Sequence, residues 1–176
     1  MKNKFLNQEF LNKHNKLIDA FWAWVGSTLS LLCIALLDKY YFQAHDINFL
    51  MASFGASAVL VFGTPQSPLA QPRNVMGGHF ISAIAGVTCQ LFLASSPTLA
   101  ICTSVSLAIF LMTFTKTLHP PGGASALLAV VGDDSIKQLG YLYAITPCLF
   151  GASILVLIGI LLSYITKRKK YPLVWW

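Results

Sequence analysis

The chain has 176 residues, of which 56% are hydrophobic and only 10% are charged, and its mean hydropathy is +0.66. This composition excludes an ordinary soluble domain. Short polar loops separate the apolar runs, so no stretch is long enough for a soluble catalytic or nucleic-acid-binding domain. We therefore expect a membrane protein that works inside the lipid bilayer.

Basic residues are concentrated at both ends of the chain. The net charge is +6, with four lysines in the first 16 residues and the run Lys167-Arg168-Lys169-Lys170 near the other end. Basic residues mark the cytoplasmic side of a membrane and contact anionic lipid headgroups. We therefore expect a multi-pass protein of the bacterial inner membrane with both termini in the cytoplasm. Its expected partners include membrane lipids and exclude nucleic acid.

The sequence divides into three parts. Residues 1–19 form a cytoplasmic tail or, because apolar residues recur at helical intervals among the lysines, a short helix on the membrane surface. Residues 20–166 form the transmembrane domain, and residues 167–176 form a basic cytoplasmic tail. The first apolar run lacks a convincing cleavage site, so we interpret it as a retained anchor and not as a signal peptide.

Six apolar segments follow one another along the chain: 20–37, 48–63, 79–94, 98–115, 121–131 and 140–165. A helix needs about 20 residues to cross a hydrocarbon core of about 30 Å. Four segments reach or approach this length, whereas 48–63 and 121–131 are short. The sequence thus predicts an all-α polytopic membrane protein with four long spans and two short helices.

The two short segments resemble each other. Gly55-Ala56-Ser57-Ala58 recurs 68 positions later as Gly123-Ala124-Ser125-Ala126, and each segment lies between two longer apolar ones. The pattern predicts two repeat halves, at about 20–95 and 98–165, although Ala- and Gly-rich helices also resemble each other by chance. If all six segments cross, ten of the twelve basic residues are cytoplasmic. This count favours six crossings and an inverted repeat of three plus three segments.

The acidic residues and cysteines indicate no catalytic or metal centre. All six carboxylates lie in tails or at the ends of apolar segments, so a carboxylate-based cation pathway lacks its usual residues. The four cysteines lie inside apolar runs without C-x-x-C spacing, which is typical of small packing residues. H-E-x-x-H and G-x-S-x-G motifs are absent. We therefore expect no enzyme, no metal and no cofactor.

The His-Pro-Pro-Gly-Gly sequence is the strongest candidate for an anion site. Two prolines suit the first turn of a helix, so a helix should begin after His119. The N–H groups of Gly122, Gly123 and Ala124 would then face an anion at the positive end of this helix, with Lys116 nearby. The structural alternative is a tight turn at the membrane surface, with glycines that let helices pack.

Residues 64–78 form a second polar segment, rich in proline and in amide side chains. Arg73 is the only arginine outside the C-terminal tail, and a guanidinium group binds planar oxyanions well. Asn74 lies beside it, and Gly77-Gly78 before His79 indicates a helix start that parallels Gly122-Gly123. In the alternative interpretation, Arg73 only marks the cytoplasmic side.

Together these motifs resemble the HPP family of integral membrane proteins. The resemblance covers about residues 20–165 and rests on four segments: His119 to Ala126, Gly55 to Ala58, Pro65 to Asn74 and Gly77 to His79. It implies a family described as having four transmembrane spans, which competes with the six crossings counted from charge. It also implies a link to nitrite transport, which is associated with plant and cyanobacterial members, whereas most bacterial members have no assigned substrate.

The leading hypothesis is a channel or transporter for a small inorganic monovalent anion, with nitrite as the first candidate. The expected substrate-binding residues join both motifs and the repeated serines: Gly55, Ser57, Arg73, Asn74, His79, Lys116, His119, Gly122, Gly123, Ala124 and Ser125. Small-residue helix faces also favour a homo-oligomer. The alternatives are a membrane scaffold or regulatory subunit without transport and, less favoured, an intramembrane enzyme.

Overall fold

The computed structural model describes the backbone of residues 2–42 and 51–175, and the side chains of residues 15–40 and 51–175. Within these ranges the chain is helical and contains no strand. Its α-helices are α1 (Lys2–Leu37), α2 (Ala52–Ala58), α3 (Pro72–Phe92), α4 (Pro97–Phe114), α5 (Pro120–Val131), α6 (Asp134–Gln138) and α7 (Phe150–Thr166). Shorter segments flank some of them: the π-helical Asp38–Phe42, Val59–Gly63 and Ala144–Leu149, and the 3-10 turn Pro68–Ala70.

Four helical segments are long and apolar enough to cross a membrane: Asn15–Tyr40, Pro72–Phe92, Pro97–Phe114 and Ala144–Thr166. Two further apolar helices, Ala52–Gly63 and Pro120–Val131, are shorter. For the described part of the chain, this confirms the predicted all-α membrane fold with four long and two short apolar helices. The inverted relation between the two halves stays a prediction.

One helix start differs from the prediction. Helix α1 is continuous from Lys2 to Leu37, and the assignment of residues 1–19 to a cytoplasmic tail or a surface helix stays a prediction. Helix α3 begins at Pro72, and Gly77-Gly78 lie inside it and not at its start. The prediction of a start at Gly77-Gly78 is wrong because proline at the first helical position marks this start, whereas hydropathy detects only the apolar part of the helix.

The short helix α5 has clear ends. Pro120 and Pro121 occupy its first positions, where a missing N–H removes no intrahelical hydrogen bond. Gly132 follows its last residue, and Asp133 then caps α6 by accepting a hydrogen bond from the Ile136 N–H. The 12 residues of α5 extend only about 18 Å, so this helix alone is shorter than a hydrocarbon core.

Helices α3 and α5 run side by side in the same direction. Gly78 of α3 lies against His119, and Gly86, further along α3, lies against Ala126 and Ala129. A Cβ added to Gly86 would meet the Ala126 backbone, so the glycine permits this close approach. Half of the most apolar stretch of α3 is buried, a larger share than in the other three long spans. Helix α3 is therefore the central helix of the described bundle.

Contacts at one end of the bundle join four segments that are distant in sequence. Three hydrogen bonds make these connections: Arg168 Nε to Asp19 Oδ1 at 3.0 Å, Arg73 Nη2 to the Thr115 carbonyl at 2.8 Å, and Tyr171 Oη to the Ala70 carbonyl at 2.8 Å. Helices α3 and α5 begin at this end, whereas α2, α4 and α7 lead towards it. From α2 to α7, successive apolar segments therefore alternate in direction, and the number of full crossings stays a prediction.

Candidate functional site

Two histidines that are 40 residues apart in sequence meet in the interior. The side chains of His79, on α3, and His119, the N-cap of α5, are 0% exposed, and their ring centroids are 5.1 Å apart. The hydroxyl of Ser57, on α2, joins them, because its Oγ lies 2.7 Å from His79 Nε2 and 2.8 Å from His119 Nε2. One serine thus bridges two buried imidazoles.

Further hydrogen bonds extend this bridge in both directions. His79 Nδ1 lies 2.8 Å from Ser125 Oγ on α5, which is 3.2 Å from Ser53 Oγ on α2. At the opposite end, His119 Nδ1 lies 2.8 Å from the Leu69 carbonyl oxygen. We call the groups from Ser125 through His79 and Ser57 to His119 the serine-histidine chain. It connects α2, α3 and α5 with the loop that precedes α3.

The Leu69 carbonyl determines where the protons lie when both histidines are neutral. A carbonyl oxygen only accepts hydrogen bonds, so His119 Nδ1 carries a proton and its Nε2 accepts from the Ser57 hydroxyl. Ser57 and Ser125 each have one proton, and each proton also reaches Ser53, at its carbonyl and at its hydroxyl. When the Ser57 proton goes to His119, His79 Nε2 donates to Ser57 Oγ and His79 Nδ1 accepts the Ser125 proton. In this arrangement the hydrogen bonds point from Ser125 towards Leu69, and the two histidines carry opposite tautomers.

Glycines make room for the serine-histidine chain. A Cβ on Gly78 would lie 2.5 Å from His119 Cβ, so a larger residue before His79 would displace the second histidine. A Cβ on Gly122 would lie 2.7 Å from Ser82 Oγ and 2.8 Å from the Gly78 carbonyl oxygen. Ser82 Oγ is itself buried without a hydrogen-bond partner among the described residues. Both Gly-Gly pairs thus allow α3 and α5 to pack closely around the histidines.

The start of α5 differs from the anion site that the sequence suggests. Pro120 and Pro121 have no N–H group, and the Gly122 N–H already donates to the His119 carbonyl at 2.9 Å. Because α5 begins at Pro120, the N–H groups of Gly123 and Ala124 are used in the first intrahelical hydrogen bonds. Ala124 is exposed. In this conformation the free donors expected at Gly122, Gly123 and Ala124 are occupied.

Arg73 and Asn74 lie near the serine-histidine chain but bind backbone. Arg73 Nη2 donates to the Thr115 carbonyl at 2.8 Å, and Asn74 Nδ2 donates to the Leu118 carbonyl at 2.9 Å. Both side chains thus hold the segment that leads to His119. Lys116, in the same segment, is exposed and has a positive φ of 57°. It places a cation at this end of the bundle without joining the buried chain.

Gly55 lies apart from the other candidate residues. A Cβ at this position would meet nothing within 4 Å among the described residues. Gly55 instead lines an open groove with residues of α1, among them Thr28 and Leu31. Of the eleven residues expected to bind substrate, the structure joins four in one buried hydrogen-bonded group. Ser57 contacts both His79 and His119, and Ser125 contacts His79.

The residues after α7 fold back over the loop that ends at Gln71. Tyr171 is 5% exposed, and its hydroxyl donates to the Ala70 carbonyl at 2.8 Å. Gln71 Oε1 accepts from the Leu173 N–H at 2.8 Å, and its Nε2 donates to the Ser67 carbonyl at 2.8 Å. Burial raises the pKa of the Tyr171 phenol, so this donor stays protonated. The tail therefore fastens the loop whose Leu69 carbonyl accepts from His119.

The described residues contain no group of three or more His, Cys, Asp or Glu side chains that could hold a metal ion. The chemistry of the serine-histidine chain is that of hydroxyl and imidazole groups, which donate and accept hydrogen bonds and exchange protons.

Comparison with known proteins agrees with the motifs. The family described as HPP, transmembrane region, matches residues 12–172. The chain belongs to this family. Two curated relatives, both named transmembrane proteins of Dictyostelium discoideum, are 41% identical over 160 residues and 40% identical over 158 residues. Each alignment covers 88% of this chain but only 55% and 50% of the relatives, so the chain spans about half their length. No solved structure matches.

Two residues of this HPP domain were missed by sequence reasoning. Ser53 contacts both repeated serines, because its carbonyl oxygen is 3.1 Å from Ser57 Oγ and its hydroxyl is 3.2 Å from Ser125 Oγ. Gln71 joins the loop to the tail. Ser53 lies four residues before Ser57, on the same helix face, and this spacing was the signal available in the sequence. Gln71 offered no comparable signal, since its partners come from the far end of the chain.

Proposed function

We propose that this HPP protein transports a small monovalent anion across the membrane, with nitrite as the first candidate. The observation that carries the proposal is the serine-histidine chain, a buried row of hydrogen-bonding groups at the junction of α2, α3 and α5. Polar side chains are uncommon inside membrane domains, because each one loses its hydration there and must find a hydrogen-bond partner. Those that occur commonly mark the path of a substrate or a proton.

The composition of this junction favours an anion over a cation. Its side-chain groups are hydroxyls and imidazoles, which donate hydrogen bonds to an anion without a buried opposite charge. None of the hydrogen bonds described for these groups involves a carboxylate, the usual ligand of a cation pathway. Lys116 and Arg73 lie at the end of the bundle nearest His119 and would raise the local anion concentration there.

Because α3 and α5 pack tightly, transport must involve a change of conformation. Gly122 and Ser82 leave no room for an added methyl group between α3 and α5, so the described conformation is closed at this crossing. An anion would replace hydrogen bonds within the chain as the short helices α2 and α5 shift against α3. Movement of a short-helix unit around a central site is a common basis of alternating access.

The proposed orientation puts both termini and the loop before α3 in the cytoplasm, with the protein in a bacterial inner membrane. Gln66 is an exposed residue of that loop. A Gln66→Cys variant in intact cells should resist a membrane-impermeant thiol reagent and react after the cells are opened, against the parent chain as background. Labelling in intact cells would indicate the opposite orientation.

Reconstitution into liposomes tests the transport proposal. We expect the purified protein to take up nitrite, and the panel of nitrate, formate and bicarbonate defines its selectivity. Ser125→Ala should lower uptake strongly, whereas Ser125→Thr, which retains the hydroxyl, should preserve part of it. Ser106→Ala is the matched control, because Ser106 is exposed on α4 and bonds only within its own helix. If the parent protein takes up none of the four anions, the transport proposal fails and a scaffold role becomes the better hypothesis.

A further inference from the structure

We infer that the serine-histidine chain carries one proton with each anion, which makes this protein a proton-anion symporter. The inference rests on the proposed function and adds its driving force. It comes from a feature that anion binding alone does not require, namely an unbroken series of groups that can each give up one proton while accepting another. Each adjacent pair of these groups is separated by 2.7 or 2.8 Å, which is short enough for direct transfer.

The transfer balances at every atom. As a proton arrives at Ser125 Oγ, the original Ser125 O–H bond breaks and an N–H bond forms at His79 Nδ1. The His79 Nε2–H bond then breaks as an O–H bond forms at Ser57, and the original Ser57 proton passes to His119 Nε2. His119 ends with protons on both nitrogens, Ser125 and Ser57 end neutral, and no electrons are gained or lost. The net result is one proton moved from the Ser125 end to His119.

The cost of a buried imidazolium is the reason that proton transfer and anion transport are coupled. A positive charge on His119 in this interior is costly unless an anion accompanies it. Among the described residues, the groups packed around the chain include no carboxylate: they are Ser53 and Phe54 from α2, Ser82 from α3, and Tyr143 and Cys148 from the segment leading into α7. The transported anion therefore supplies the missing countercharge, and anion and proton enter together.

The Leu69 carbonyl explains how the proton is retained. It accepts a hydrogen bond from His119 Nδ1 but does not take the proton over, so the imidazolium holds its charge while this contact persists. Release requires movement of the loop before α3 away from His119. Tyr171 and Leu173 of the C-terminal segment fasten the next two residues of that loop, Ala70 and Gln71. Once the loop has moved, His119 is exposed to water at the end of the bundle where Lys116 and Arg73 lie.

The test compares two driving forces in the same liposomes. A monovalent anion and one proton together carry no net charge, so a pH gradient that is alkaline inside should drive nitrite uptake, and a potassium-valinomycin potential of either sign should not alter it. A pH dye inside the vesicles should report one proton per nitrite. Protein-free vesicles give the background, because nitrous acid crosses lipid unaided, and nitrate is measured in parallel since its acid does not.

Ser57 variants test the chain itself. Ser57→Ala removes the group that joins the histidines, and we expect gradient-driven uptake to fall by about a hundredfold, within the range that positioned proton transfer contributes. Ser57→Thr retains the hydroxyl and should restore much of this uptake. Ser106→Ala should match the parent. Parent-like gradient-driven uptake by Ser57→Ala overturns the proton chain.

Two further outcomes separate this inference from the proposed function. Uptake that follows the membrane potential and ignores the pH gradient overturns proton coupling but leaves anion transport intact, whereas no uptake under either gradient overturns both. Nitrogen-15 spectra of histidine-labelled protein do not depend on transport. They should show His119 protonated at Nδ1 and His79 protonated at Nε2, and the same tautomer at both histidines would overturn the chain.

Discussion

The two Gly-Ala-Ser-Ala segments have the same pattern of exposure at each position but contact different neighbours. In Gly55–Ala58 and in Gly123–Ala126, the glycine is half-buried, the first alanine is exposed, and the serine and second alanine are buried. Ser57 and Ser125 even contact the two nitrogens of the same imidazole. The repeated sequence therefore occupies similar environments in the two short helices, and the inverted repeat of the two halves stays a prediction.

The difference between the segments lies in the residue that precedes each helix. Met51 is the N-cap of α2 and His119 is the N-cap of α5, and these residues correspond when the segments are aligned. Met51 Sδ accepts a hydrogen bond from Tyr143, whereas His119 joins the serine-histidine chain. Only one half of the repeat thus contributes a proton-exchanging group at its helix start. The packing is shared by both halves, and the chemistry is concentrated in one.

Replacing each repeated serine in turn should distinguish the two segments most clearly. Ser57→Ala leaves Nε2 of both histidines without their partner, whereas Ser125→Ala does so for one imidazole nitrogen, His79 Nδ1, and removes the longer 3.2 Å contact with the Ser53 hydroxyl. An unsatisfied buried polar group costs about 1–3 kcal/mol. We therefore expect Ser57→Ala to reduce the free energy of unfolding in mixed micelles by more than Ser125→Ala does. Equal losses would contradict the unequal roles of the two serines.

The adjacent glycines at the start of α5 should respond differently to alanine. A Cβ on Gly122 meets the Gly78 carbonyl and Ser82, so Gly122→Ala should lower the free energy of unfolding by about 1–3 kcal/mol. A Cβ on Gly123 meets only Val105 Cγ1, at 3.8 Å, which is an ordinary contact. Gly123→Ala should therefore carry no packing cost and be neutral or slightly stabilising. The measurement is denaturant unfolding of both variants beside the parent, and similar losses would show that the close approach does not depend on Gly122.

The sequence predicts much of the fold because apolar run length and helix-start prolines act locally. The four long spans, the two short helices and the helix start at Pro120 follow from these signals. The early start of α3 at Pro72 was missed, since its first two turns contain Arg73, Asn74 and two glycines and have little hydropathy. Local signals thus find the apolar part of a helix and underestimate its polar turns.

The candidate site was predicted only in part because its assembly is tertiary. His79, His119, Ser57 and Ser125 were all selected from the sequence, but as separate contributors around a helix start. Their direct connection depends on the crossing of α2, α3 and α5, which no local pattern encodes. The one hint was the glycine pair beside each histidine, because Gly78 makes room for His119. The free N–H donors were overestimated, since the first turn of α5 uses them.

A smaller effect is expected at the C-terminal segment, which lies against the loop of only one repeat half. Tyr171→Phe removes the hydrogen bond to the Ala70 carbonyl and retains the buried ring, so the free energy of unfolding should fall by about 0.5–1.5 kcal/mol. Cleavage by trypsin in the run 167–170 should also become faster. Tyr164→Phe is the control, because Tyr164 is 77% exposed. Unchanged proteolysis in Tyr171→Phe would mean that this contact does not hold the tail.

The smallest effect, with the opposite sign, is expected at the glycine of the first segment. No described atom lies within 4 Å of a Cβ at Gly55, so Gly55→Ala introduces no clash among the described residues. Alanine restricts the unfolded chain and favours the helix, which should raise the free energy of unfolding by about 0.5 kcal/mol. Unfolding in mixed micelles measures this gain, and Gly123→Ala, at the corresponding position of the second segment, is the comparison. A loss at Gly55 as large as that at Gly122 would mean that another group fills the groove against α1, and the two segments would then differ in packing as well as in chemistry.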